Sequence, residues 1–181
     1  MKDLFFVILL CVFPFFALAQ SNHLAGRFGL EINSGLSSEI PSIRLGPSLT
    51  YLKGKNQFNL GLGFAPSASN ERQVFSVDYR NKYFLNGMDK KYSLYLTNGF
   101  SFVRKERDAF FNTTHNYLFF DVGYGFQVNV IGNIYLGTNI SAGPFSYHRY
   151  SENPIDEFAM VQLFQEWGFH VSGQFNLGYR F

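Results

Sequence analysis

Three residues near the end of the chain could together activate a hydroxyl. His170 and Ser172 lie two positions apart and Glu166 stands four before His170, so an extended segment turns all three to one side. A carboxylate that orients an imidazole, beside a serine that gives it a proton, makes an alcohol nucleophilic. A second set is spread along the chain: Arg27, Glu31, Arg44, Asp78, Arg80, Asp121, Glu166 and Arg180. Charges of both signs in a confined space either neutralise one another in ion pairs or line a polar path for protons or ions. If the first two extended segments form a hairpin symmetric about its loop, Glu31 comes directly opposite Arg44, and opposite charges placed so help to fix register. Which of these chemistries is open depends on the elements that hold the residues.

Those elements are strands. Apolar residues recur at every second position, as they do where one face of a strand meets an apolar medium. Phe28, Leu30 and Ile32 alternate with Gly29, Glu31 and Asn33; Phe58, Leu60, Leu62 and Phe64 enclose Asn59, Gly61 and Gly63. The same pattern marks segments near 43–51, 75–80, 92–102, 118–130 and 134–141, and a last one from Trp167 to Phe181. That makes eight strands. Gly- and Asn-rich turns at 53–56, 86–91 and 131–133 alternate with longer polar connections, roughly 34–41, 66–72, 103–115 and 147–160. Short turns on one side and long loops on the other are the pattern of a transmembrane barrel, with the short turns facing the periplasm. The predicted fold is all-β: an eight-stranded antiparallel up-and-down transmembrane β-barrel.

All eight charges fall on the parity opposite the large apolar residues, so they are expected inside. Most strand glycines share that parity, which suits a lumen only just wide enough for side chains. An inward set with both signs equally represented predicts a neutralised ion-pair plug, where a single sign would suggest a selective pore. A secreted soluble barrel would reverse the parity, because burying this polar set around an apolar ligand is costly.

The N-terminus reads as a signal peptide over residues 1–19, with the barrel domain over 20–181. Lys2 precedes the apolar run Leu4–Phe16, too short to span as a helix, and Ala17-Leu18-Ala19 supplies a cleavage site. Cys11 sits inside that run, after Leu10 where a lipoprotein signal wants a small residue, and the mature chain has no other cysteine. Thiol catalysis and cysteine-based metal sites are thereby excluded. The formal charge of +2 without a basic run speaks against nucleic acid. His148 has no metal-ligand spacing to Asp156 and Glu157. The glycine pairs at 61/63 and 123/125 precede no helix and are not phosphate loops. No metal or cofactor is expected. The 19% aromatic content, with 23 Phe and 11 Tyr, exceeds what a soluble domain of this size could bury.

The last strand carries a resemblance. Phe175, Leu177, Tyr179 and Phe181 form an alternating row ending on an aromatic residue. With the strand count and loop asymmetry, the chain resembles the small bacterial outer-membrane barrels of the OmpX/OmpW-type class, in a version expected of the Bacteroidota. The resemblance implies an integral outer-membrane location, contact with membrane lipid and lipopolysaccharide, and a C-terminal row read by the outer-membrane assembly machinery. It transfers no functional residues. The expected function is a non-enzymatic monomer with a narrow, closed lumen that serves envelope structure or surface interaction through its loops. The alternative is a narrow transporter of small or hydrophobic solutes. A lipid A-modifying enzyme ranks below both, because the His-x-Ser-Asn pattern of lipid A deacylases fails where Gly173 follows Ser172.

Overall fold

In the computed structural model the described residues are 26–40, 42–65, 71–107, 113–151 and 166–181. The expected signal segment, and most of the connections 66–72 and 147–160, lie outside them. The alternating segments form β1 (Arg27–Ser37), β2 (Arg44–Lys53), β3 (Asn56–Ala65), β4 (Glu71–Phe84), β5 (Tyr92–Arg107), β6 (Thr113–Ile131), β7 (Ile134–Ser151) and β8 (Glu166–Arg180). Each pairs antiparallel with its neighbour in sequence, and β1 pairs with β8 to close an eight-stranded barrel. Closure leaves no unpaired sheet edge, which strands must avoid in hydrocarbon.

The parity rule sorts the side chains. Leu49, Leu60, Val122 and Phe175 point outward at 60–71% exposure, whereas Ser76, Gln57 and Gln127 on the other parity are fully buried. Polar residues are inside and apolar residues outside, the inverse of a water-soluble barrel. At the short-turn end Gly54, Gly87 and Gly132 adopt φ of 60°, 90° and 54°, left-handed values that glycine reaches at no steric cost.

Strands at the long-loop end run further than the sequence suggests. Pairing between β5 and β6 continues to Arg107↔Thr113, and between β6 and β7 to Thr113↔Ser151. Most of 103–115 is therefore ladder and not loop. Mixed charges make this stretch resemble a solvated connection, but a hairpin that emerges into water can carry charge on either face. Arg104 and Glu106 form a 2.8 Å pair along one such face. Continued pairing satisfies backbone N–H and C=O groups that a loop would leave to solvent.

The interior is packed by rings laid over glycines. Tyr95, Tyr135 and Phe145 stand opposite Gly125, Gly178 and Gly168 on adjacent strands. Each ring occupies the space where a Cβ on its glycine would sit. The glycines thus let large inward rings lie along the wall of a narrow barrel. Ile40, Val74, Val103 and Phe119 form an apolar layer inside the long-loop end, where sequence parity leads one to expect polar residues.

Candidate functional site in the barrel lumen

Glu31 is the hub of the short-turn end. Its carboxylate accepts hydrogen bonds from Lys82 Nζ at 2.8 and 3.0 Å, Tyr135 Oη at 2.8 Å, Asn59 Nδ2 at 2.8 Å and Gln57 Nε2 at 3.1 Å. These donors come from β3, β4 and β7, so one carboxylate on β1 ties the lumen together from several sides. Lys82 is 0% and Glu31 2% exposed, and the low local dielectric strengthens an attraction that water would largely screen. Lys82 also lies 5.4 Å from the Tyr95 ring centre. Sequence reading misses Lys82 because it ends the fourth strand at Arg80. Extending the alternation by two residues would find it.

Arg180 reaches the same layer from β8. Its guanidinium stacks 4.4 Å above the Tyr135 ring and Nη1 donates to the Met88 carbonyl at 3.1 Å. The enclosed cations are Arg44, Arg80, Lys82 and Arg180; the carboxylates are Glu31, Asp78 and Asp121. Among the described residues one enclosed cation is thus in excess. Arg180 faces no carboxylate directly but lies on a π surface whose hydroxyl bonds to Glu31.

A second hub, Asp121, lies nearer the middle. His170 Nε2 donates to its Oδ1 at 2.8 Å, Ser172 and Ser141 at 3.2 and 3.3 Å, and Arg80 approaches Oδ2 at 3.5 Å. Arg80 Nη1 bonds Asn139 Oδ1 at 2.8 Å. Arg44 and Asp78 form a looser pair at 4.0 Å, with Ser76 donating to Asp78 at 2.7 Å. Between the hubs and the apolar layer is a cavity of about 50 Å³, whose lining includes Asn33, Arg44, Asp78, Arg80, Asp121 and His170 beside Leu62 and Phe119. That is room for water-sized occupants.

Two sequence expectations need correction. Glu31 and Arg44 do not meet: Glu31 pairs in register with Ser48, and Arg44 with Gly35. The first hairpin is not symmetric about the assumed loop, because β1 continues to Ser37 and Ile40 turns into the lumen. Arg27 and Glu166 have inward parity but stand at opposite rims, both exposed. Arg27 pairs there with Asp89 at 3.6 Å. The His170–Ser172–Glu166 set does not assemble either. Ser172 bonds Asp121 and Ser141, and His170 Nδ1 is buried without a hydrogen-bond partner among the described residues. The imidazole packs against Phe119, with ring centres 4.6 Å apart. Among the described residues His170 and Ser172 meet through Asp121 and not each other, so the imidazole makes no direct contact with the serine hydroxyl. In the last strand Phe175, Leu177, Tyr179 and Phe181 all project outward, at 46–70% exposure.

No family model and no curated protein sequence matches this chain. Solved structures do. The N-terminal β-barrel domain of Pseudomonas aeruginosa OprF superimposes with a TM-score of 0.59 at 12% identity, covering 87% of this chain and 100% of that one. A major outer membrane protein from Thermus thermophilus gives a TM-score of 0.56 at 14% identity, with 87% and 100% covered. The likeness is one of fold. At such identities it carries no residue roles from those proteins to this lumen.

Proposed function

We propose that this chain is an integral barrel of the bacterial outer membrane, non-enzymatic, with a lumen held closed by its own side chains. Its role is in envelope structure or in surface interaction through the long connections. The observation that carries this reading is the buried Glu31–Lys82 pair, which crosses the lumen at 2.8 Å and is surrounded by Tyr135, Gln57 and Asn59. Opening a path there would separate two desolvated charges, a loss of several kcal/mol when a buried pair is broken. The apolar layer at the other end adds a second obstruction to polar solutes. Apolar outward residues support membrane insertion, and the outward row Phe175, Leu177, Tyr179 and Phe181 suits recognition by the assembly machinery. Contact with lipopolysaccharide would fall to the long-loop end, and the monomer is the working unit.

Planar-bilayer recording tests the closed lumen. The purified barrel should give no stable, reproducible conductance steps; regular steps in the wild-type protein would overturn closure and favour a narrow channel. A heat-dependent shift on an electrophoretic gel, together with membrane fractionation, tests the integral barrel. A soluble protein without that shift would sink it.

A further inference from the structure

Surface charge is uneven along the barrel axis. At the short-turn end Arg27, Lys53, Lys55, Lys90 and Lys91 line part of the rim, and among the described residues Asp89 is the one exposed acidic side chain there. At the opposite end, among the residues whose side chains are described, Glu39, Glu106 and Glu166 stand against Arg104, Lys105 and Arg149, so the two signs are equally represented. The lumen does not use the basic rim, since its hubs draw on Lys82, Arg80 and Arg180. Nor does the rim neutralise itself. Arg27 and Asp89 lie 3.6 Å apart with side chains 57% and 82% exposed, a pair that water weakens strongly. Lys55 Nζ bonds a backbone carbonyl, that of Leu85, at 3.2 Å.

The depth of these cations identifies what they meet. They border an outward aromatic row at the same end, in which Phe28 and Tyr51 pack at 5.2 Å and Tyr92 stacks on Phe126 at 6.0 Å. Aromatic rows of this kind settle at the headgroup boundary of a bilayer. Arg27 adjoins Phe28, Lys53 follows Tyr51 on the same face, and Lys91 reaches over the Tyr92 ring at 5.6 Å. The ammonium and guanidinium groups therefore stand at phosphate level, one step beyond the rings. They are spread along the arc from β1 to β5, whereas the β6–β7 turn, Gly132-Asn133, carries no charge. Clustered Lys and Arg at this depth favour anionic lipid headgroups. An arc at the bilayer boundary suits a leaflet better than a polymer lying beyond it.

We propose that the short-turn rim between β1 and β5 is a binding belt for anionic phospholipid headgroups of the leaflet it crosses. This rests on the reading that the barrel spans a membrane, and a heat-shift gel scores that reading before any lipid is added. If wild type shows no shift, the spanning reading itself fails. The test compares wild type with the variant Lys53→Gln/Lys55→Gln/Lys90→Gln/Lys91→Gln in detergent micelles doped equally with phosphatidylglycerol and phosphatidylcholine. Retained lipid is counted by native mass spectrometry. Wild type should hold roughly fivefold or more phosphatidylglycerol over phosphatidylcholine, and the variant should lose that preference. A milder Lys90→Gln/Lys91→Gln variant, confined to one turn, serves if the quadruple variant does not fold, and should lower the ratio in the same direction. Equal retention of both lipids by wild type, or an unchanged ratio in a folded variant, overturns the belt. So does capture of wild type by isolated cell-wall sacculi, lost in the variant, without any lipid preference.

Discussion

Glu31 is a carboxylate far from water that is supplied with donors from four side chains, one of them charged. Removing only the charged donor leaves the buried carboxylate with neutral hydrogen-bond donors alone. Lys82→Met should therefore destabilise the barrel by about 3–5 kcal/mol, the usual cost of orphaning one member of a buried pair. Glu31→Gln should cost a comparable amount by orphaning Lys82. The double variant should be much less destabilised than the two losses added together, because neither charge is then left unpaired. Urea unfolding in lipid vesicles, followed by the fluorescence of Trp167, gives all three values. Strict additivity would show that the two residues do not act as a pair. His170 makes the converse point at the same scale. Its inward direction is legible from parity, but its partner is not, because Asp121 lies 49 residues away in the chain.

At the level of elements, the strands hold their rings through glycine. The Tyr135 ring covers Gly178 on the neighbouring strand while its hydroxyl bonds Glu31 and its face carries Arg180. Gly178→Val would push that ring off the wall and disturb all three contacts, so a loss of about 1–3 kcal/mol is expected from overpacking alone. Gly173 is the control on the same strand. A Cβ there meets nothing within 4 Å, so Gly173→Ala should be neutral or slightly stabilising. If both substitutions unfolded the barrel equally in urea, the ring-over-glycine account would fail. The comparison also shows what the sequence can and cannot reveal. Side-chain parity is legible throughout, since alternation is a local property and one face has to be apolar. Register is not. The step from Glu31↔Arg44 to Glu31↔Ser48 depends on where β1 ends and on Ile40 entering the lumen, a tertiary choice. Strand ends are equally hidden, because Arg104–Glu106 has a loop-like composition, and Lys82 is lost with the end of β4.

For the whole molecule, the inside-out distribution of polarity implies a depth as well as a medium. The outward face of β3 offers a ruler: Phe58, Leu60, Leu62 and Phe64 step from the short-turn end toward the long-loop end on one side of the wall. Leu60 is paired with Leu49 on one side and Tyr79 on the other, and is 60% exposed to whatever surrounds the barrel. In water an arginine there would be indifferent or helpful. In hydrocarbon it must be dragged from its hydration shell, at about 2–4 kcal/mol near the midplane and about 0–1 kcal/mol near either boundary. Four single arginine variants, unfolded reversibly in vesicles, should therefore give a peaked profile. Leu60→Arg and Leu62→Arg should lose most stability, Phe58→Arg and Phe64→Arg less. Lys and Arg at the rims fit the same profile, since Lys53 and Lys55 occupy the shallow end, where the cost has fallen away. A flat profile across the four positions would mean that no slab of hydrocarbon is centred on this wall. The outward apolar residues would then need a protein partner and not a bilayer to cover them.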